Sequence, residues 1–270
     1  MGASTAVMFD AVTSRFAGTL RIGAGGLVVL MMACTPTTDS DTDADSDADS
    51  DVSDVDAEPC PAASDDAAPT HGPYQHSLHR AISTDGLSFT KEGGTLLEHG
   101  SAPDAVLGPD DDTWVYFVNG IPGQDALFIA KHDGPNALET FDCLRLDGAV
   151  DSDAVDPDVL RLDDGSYRLF YNTLVSPDPG ATNSIISAVA TDGIHFDTEG
   201  VLIEGAGVLN PSGIQRTNGS WVLTYTDDVN VYVATSELGD DFQVQATFGP
   251  GIPELAYLPE ADEVRLYSAE

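Results

Sequence analysis

The sequence predicts an all-β fold, a β-propeller of four-stranded blades, and three features of residues 71–270 carry that expectation. First, four segments share one pattern: an apolar residue, Pro, a polar residue, an apolar strand, a turn and an aromatic strand. Ser101-Ala102-Pro103-Asp104 leads to Trp114-Val115-Tyr116-Phe117, and Val155-Asp156-Pro157-Asp158 leads to Tyr167-Arg168-Leu169-Phe170. Leu209-Asn210-Pro211-Ser212 leads to Trp221-Val222-Leu223-Thr224, and Ile252-Pro253-Glu254-Leu255 leads to Val264-Arg265-Leu266-Tyr267. The proline and the second strand are 11, 10, 10 and 11 positions apart, and successive prolines are 54, 54 and 42 apart. Recurrence at this spacing between short β runs marks a repeat array. Second, Asp163-Asp164-Gly165 and Thr217-Asn218-Gly219 supply the hairpin turns between the two strands. Third, Ile82-Ser83-Thr84-Asp85-Gly86-Leu87-Ser88-Phe89 matches Val189-Ala190-Thr191-Asp192-Gly193-Ile194-His195-Phe196, and weaker copies run from Ile129 to Phe141 and from Ala234 to Phe242. Each reads as a third strand, a turn and a fourth strand. Four repeats are detectable, and the N-terminal strands, about 76–98, are expected to close the last blade and leave no exposed edge.

Ahead of this domain the chain reads as an address and a tether. Residues 1–34 resemble a secretory signal: Arg15 and Arg21 precede the apolar run from Ile22 to Ala33, which is too short to span a bilayer as a helix. Leu30-Met31-Met32-Ala33-Cys34 resembles a bacterial lipobox, so Cys34 is the expected lipidation site, with Met31 where Leu is commoner. Thr35 follows instead of the Asp associated with inner-membrane retention, so the expected location is exported, as an outer-membrane or cell-surface lipoprotein. Residues 35–70 carry twelve acids and no Lys or Arg, a self-repelling composition that reads as a disordered tether. With Cys34 lipidated, Cys60 and Cys143 remain; an exported compartment lets them pair, and two free thiols are the alternative.

Composition narrows the partners. The chain has 270 residues, 46 Asp plus Glu against 10 Lys plus Arg, and a formal charge of −36. Such a surface repels phosphate backbones, so nucleic acid is not expected. Hydrophobic residues make up 41%, enough for a packed core. A monomer is expected. There is no Gly-rich phosphate loop, Ser nucleophile elbow or histidine spacing of a zinc site.

The Pro-Asp blade starts, the Asp-Gly turns and the Ser/Ala-Thr-Asp-Gly-x-x-Phe units resemble those of the arabinanase, β-xylosidase and invertase group of five-bladed propeller glycosidases, over about 75–270. That resemblance implies carboxylates converging near the central axis, because glycoside cleavage needs one carboxyl to protonate the leaving oxygen and another as base or nucleophile. It implies Asp104 as the modulating aspartate, Asp156 and Asp158 as flanking acids of the most family-like blade start, and Glu254 as general acid. Asn210, Ser212, Arg216 and Tyr257 are implied as substrate-binding residues. Asn210 stands in the segment where many members carry the acid glutamate, and an amide donates no proton to a leaving group at neutral pH. No cofactor is expected, with calcium left open. A turn-stabilising role is the competing reading of each Asp beside Pro. The expected function is therefore a surface-anchored, glycosidase-like propeller acting on or recognising neutral polysaccharide, its catalytic set incomplete or whole. The alternative is a non-catalytic propeller that binds glycan or protein.

Overall fold

The computed structural model describes Ser4–Phe9 and residues 58–83, 86–132, 137–173, 182–227 and 229–269. Cys34, the lipobox and most of the leader and acidic tether lie outside the described residues. Three repeats form complete four-stranded antiparallel blades. The first comprises β4 (Gly100–Leu107), β5 (Thr113–Asn119), β6 (Leu127–His132) and β7 (Leu138–Cys143). The second comprises β9 (Ala154–Arg161), β10 (Tyr167–Thr173), β11 (Thr182–Ala190) and β12 (His195–Ala206), with the short β8 (Arg145–Leu146) pairing parallel to β12. The third comprises β13 (Leu209–Gln215), β14 (Trp221–Thr226), β15 (Val231–Ser236) and β16 (Gln243–Phe248). The fourth repeat is the hairpin of β17 (Ile252–Leu258) and β18 (Glu263–Ala269). The N-terminal unit, β2 (Ser77–Ser83) and β3 (Thr90–Glu98), forms a sheet with β1 (Ser4–Phe9), which pairs antiparallel to β2.

Adjacent sheets stack face to face, and the core lies in the spaces between them. Leu78 and Leu96 of the N-terminal sheet meet Val115 and Phe117 of the first complete blade. The opposite face of β5, Trp114 and Tyr116, packs on Tyr167 and Leu169 of the next. Phe170 then meets Trp221 and Leu223, and Ile214 and Val222 meet Leu255. The alternation of strand side chains assigns each aromatic strand one residue set per neighbour. Burying one such Phe contributes about 1.5–3 kcal/mol.

A repeated polar contact fixes the ring order. Tyr116 stands opposite Asp104 in the β4–β5 ladder, and Tyr267 stands opposite Glu254 in the β17–β18 ladder, so the two tyrosines are structurally equivalent. Tyr116 donates its hydroxyl to the Gly193 carbonyl of the following blade at 2.8 Å. Tyr267 donates to the Gly86 carbonyl at 2.6 Å, and its ring meets Phe89 edge-on at 6.1 Å. The N-terminal strands thus meet the last hairpin and occupy the blade position after it. Among the described residues they share no ladder with it: β17 and β18 form their own sheet, and β2 pairs with β1, which lies within the segment read as the leader. The described residues form five sheets, the four repeats legible in the sequence and the N-terminal one. The Asp-Gly turns permit this approach because Gly86 and Gly193 hold φ of 68° and 76°, and a Cβ on Gly193 would stand 2.9 Å from the Tyr116 hydroxyl.

At the base of the tether, Cys60 and Cys143 form a disulfide with Cα atoms 5.7 Å apart. It joins the segment leaving the acidic tract to the end of β7. Arg145 reinforces the join by donating to the Glu58 carbonyl at 2.9 Å and to Asp142 at 2.9 Å.

Candidate active site

The inner strands β4, β9, β13 and β17 each begin with the Pro-centred motif, and their geometry follows from proline chemistry. A proline has no N–H to give a ladder, so a sheet tolerates it at an edge or a bulge. Here the inner strand is the edge of its blade. In β4, β9 and β13 the register also breaks at the motif, between Ser101 and Asp104, opposite Phe170 and Asn172, and between Leu209 and Ser212. The residue before each of these prolines takes left-handed backbone: Ala102 at φ 45°, Asp156 at 50° and Asn210 at 51°. Such φ values are uncommon outside glycine, and they re-aim the strand at the rim of the axis. β17 keeps its register through Pro253 without a bulge.

The residue after each proline faces the next blade. Asp104 accepts the Val159 N–H at 2.6 Å, Asp158 accepts the Gly213 N–H at 2.8 Å, and Ser212 accepts the Leu255 N–H at 2.9 Å. These three hydrogen bonds form one staircase around the ring, each step satisfying a buried backbone donor. Glu254 holds the same position in β17, and the fully buried Ser212 side chain opposes the rise of both the Glu254 and the Asp158 pKa.

Ring closure brings Asp104, Asp158 and Glu254 together, with one carboxylate oxygen of each lying within 4.8 Å of the others. Asp158 is buried and Asp104 partly so, while Glu254 is ringed by protein but remains open to solvent along the axis. Burial raises the Asp104 pKa to about 6, opposed by the Val159 N–H. Burial raises Asp158 well above the ordinary carboxylate range, reinforced by the charges of Asp104 and Glu254. Burial followed by the Asp104 charge does the same to Glu254. Three carboxylates this close cannot all ionise cheaply, which favours protonated forms within the group. A cluster of this kind can donate a proton and present a carboxylate at one point. Its oxygens are also spaced to ligate a hard divalent cation.

The other residues singled out in the sequence lie elsewhere. Asp156 sits in the bulge and is raised by burial to about 6, an effect that the Asn210 backbone opposes. Asn210 occupies the matching bulge of the next blade. Arg216 and Tyr257 do not join the axial carboxylates: they line a separate pocket at the C-terminal ends of the inner strands. Ser212, which aligns in sequence with the two aspartates, holds the next step between blades by accepting the Leu255 N–H. Trp114, Tyr167 and Trp221 are blade-packing core, at most 9% exposed.

No family model and no curated protein matches the chain. Solved structures do. Zg3597, a family 117 glycoside hydrolase from the marine bacterium Zobellia galactanivorans, superposes with a TM-score of 0.54 at 12% identity over 72% of this chain. This chain spans 62% of the length of that enzyme. An endo-1,4-beta-xylanase from Bacteroides thetaiotaomicron gives 0.51 at 14% identity, covering 70% of this chain and 74% of that one. A protein of unknown function from Dyadobacter fermentans gives 0.53 at 13% identity, covering 76% and 69%. At these identities the likeness is one of fold: the chain is a β-propeller.

Proposed function

We propose that this protein is a glycosidase-like propeller that acts on neutral polysaccharide, exported and held at the outer membrane or cell surface by a lipid on Cys34. The observation that carries the reading is the convergence of Asp104, Asp158 and Glu254 within 4.8 Å at the ring axis. Glu254, exposed to solvent and raised well above the ordinary carboxylate range, is the general acid toward the leaving oxygen. Asp104, raised to about 6, is the carboxylate facing the sugar carbon. After burial, the Asp104 charge is what raises the pKa of Glu254, and Asp158 is the most buried of the three. The protein acts as a monomer, its acidic surface favouring neutral substrates over polyanions.

The test is sugar release by the full-length protein from arabinan, xylan, fructan and aryl glycosides. Glu254→Gln is expected to lower kcat by about 100-fold or more, the typical contribution of a positioned acid or base, with circular dichroism unchanged. A second reading, non-catalytic glycan or protein binding, is favoured by the staircase: Asp104, Asp158 and Ser212 all serve as backbone acceptors between blades. No release of any sugar by demonstrably folded wild-type protein would select it.

A further inference from the structure

The pocket holding Arg216 and Tyr257 stands apart from the axial carboxylates. It has a volume of about 190 Å³ and lies between the first hairpin turns of three consecutive units: Leu160–Asp163, Gln215–Thr217 and Tyr257 with Pro259. Arg161 is three residues beyond Asp158 in β9, and Tyr257 three beyond Glu254 in β17, which places the pocket about 10 Å along the strands from the carboxylates. None of Asp104, Asp158 and Glu254 lines it. We infer that this pocket is a second carbohydrate site, which takes one neutral sugar unit at the end of the ring opposite the axial carboxylates.

The chemistry of the lining selects that ligand class. Its two cations are already neutralised: Arg161 by Asp111 at 2.7 Å, and Arg216 by a two-pronged pair with Asp262 at 3.1 and 2.5 Å. Among the described residues, the Asp163 carboxylate and the Gln215 side-chain amide are without a partner. The site therefore presents free acceptors and a free donor at a net negative charge, which suits hydroxyl groups and disfavours phosphate or uronate. Leu160, Pro259 and the Tyr257 ring provide the apolar surface that the C–H face of a sugar needs. Tyr257 is held in place through its hydroxyl, which takes the Thr217 N–H at 3.0 Å and donates to Asp262 at 2.9 Å. Preorganised polar groups around an apolar floor are the usual composition of a small-molecule site. The volume is below the roughly 300–1,000 Å³ of sites for drug-sized ligands, which limits it to about one ring. The inference does not rest on catalysis at the axis, so either can fail without the other.

The experiment is calorimetric titration of the full chain with xylotetraose and arabinotetraose, and with tetragalacturonic acid as the charged control. Wild type is compared with Asp163→Ala/Gln215→Ala and with Asp158→Asn/Glu254→Gln; Thr217→Trp, at an exposed turn, fills the pocket independently. A neutral tetrasaccharide is expected to bind, with Kd raised at least fivefold by the pocket double variant and by Thr217→Trp, both in the wild-type and in the Asp158→Asn/Glu254→Gln background. The inference is overturned by unaltered binding in both pocket variants, by loss confined to the axial variant, by preference for the galacturonide, or by no binding of either neutral ligand.

Discussion

Asp156 shows how one residue can carry both a conformational and an electrostatic burden. Its left-handed φ of 50° is one that Asn tolerates at least as well, and Asn210 takes the equivalent position in the next blade at 51°. Its carboxyl is raised by burial to about 6 from 3.8. A raised carboxyl binds more protons folded than unfolded, so its contribution is fully present below pH 4 and is lost as pH rises through about 6. Asp156→Asn should therefore raise stability at pH 7.5 by up to roughly 3 kcal/mol and leave it nearly unchanged at pH 4, measured by urea unfolding at both values. Asp104 carries the same sign. Wild-type protein is thus expected to melt at a lower temperature at pH 8 than at pH 5, a decline that Asp156→Asn and Asp104→Asn each flatten. A profile rising from pH 5 to pH 8 would contradict the burial of these acids.

At the level of elements, the inner strands owe their positions to contacts between blades more than to their own ladders. Tyr116 is fully buried, and its hydroxyl satisfies the Gly193 carbonyl. Tyr116→Phe leaves that carbonyl without its partner and is expected to cost about 1–3 kcal/mol in chemical denaturation. Tyr267→Phe, at a half-buried position, should cost no more than about 1 kcal/mol. Ser212→Ala removes the acceptor of the Leu255 N–H and a polar group that favours ionised Asp158 and Glu254, so a loss of about 1–3 kcal/mol is expected. In a catalytically active protein it should also displace the acidic limb of the kcat profile, which a purely structural serine would not do. The repeats behind these elements were readable because each needs a particular residue locally: proline at a bulged edge, glycine at a turn with positive φ, aromatics facing a neighbouring blade. The bulges themselves were not, since register breaks depend on the partner strand.

Across the whole molecule, two closures hold the ends of the domain. The Cys60–Cys143 disulfide spans a sequence separation of 83 residues, and loops of that order contribute about 2–4 kcal/mol when cross-linked. Reduction should lower Tm by roughly 5–12 °C, followed by calorimetry with and without dithiothreitol. The other closure is the meeting of Tyr267 with Gly86, between residues 181 apart. The sequence by itself determined the all-β class, the four Pro-centred repeats, the Asp-Gly turns and the column occupied by Asp104, Asp158, Ser212 and Glu254, because short-range steric and hydrogen-bonding demands write those features into neighbouring residues. Only the tertiary structure decided that the N-terminal strands form a fifth sheet, that three of those side chains become one carboxyl cluster, and that Arg216 and Tyr257 belong to a different pocket. Those outcomes depend on how sheets stack around an axis. Backbone donors such as Val159 and Gly213 reach acceptors 55 residues away, at distances that no local pattern specifies.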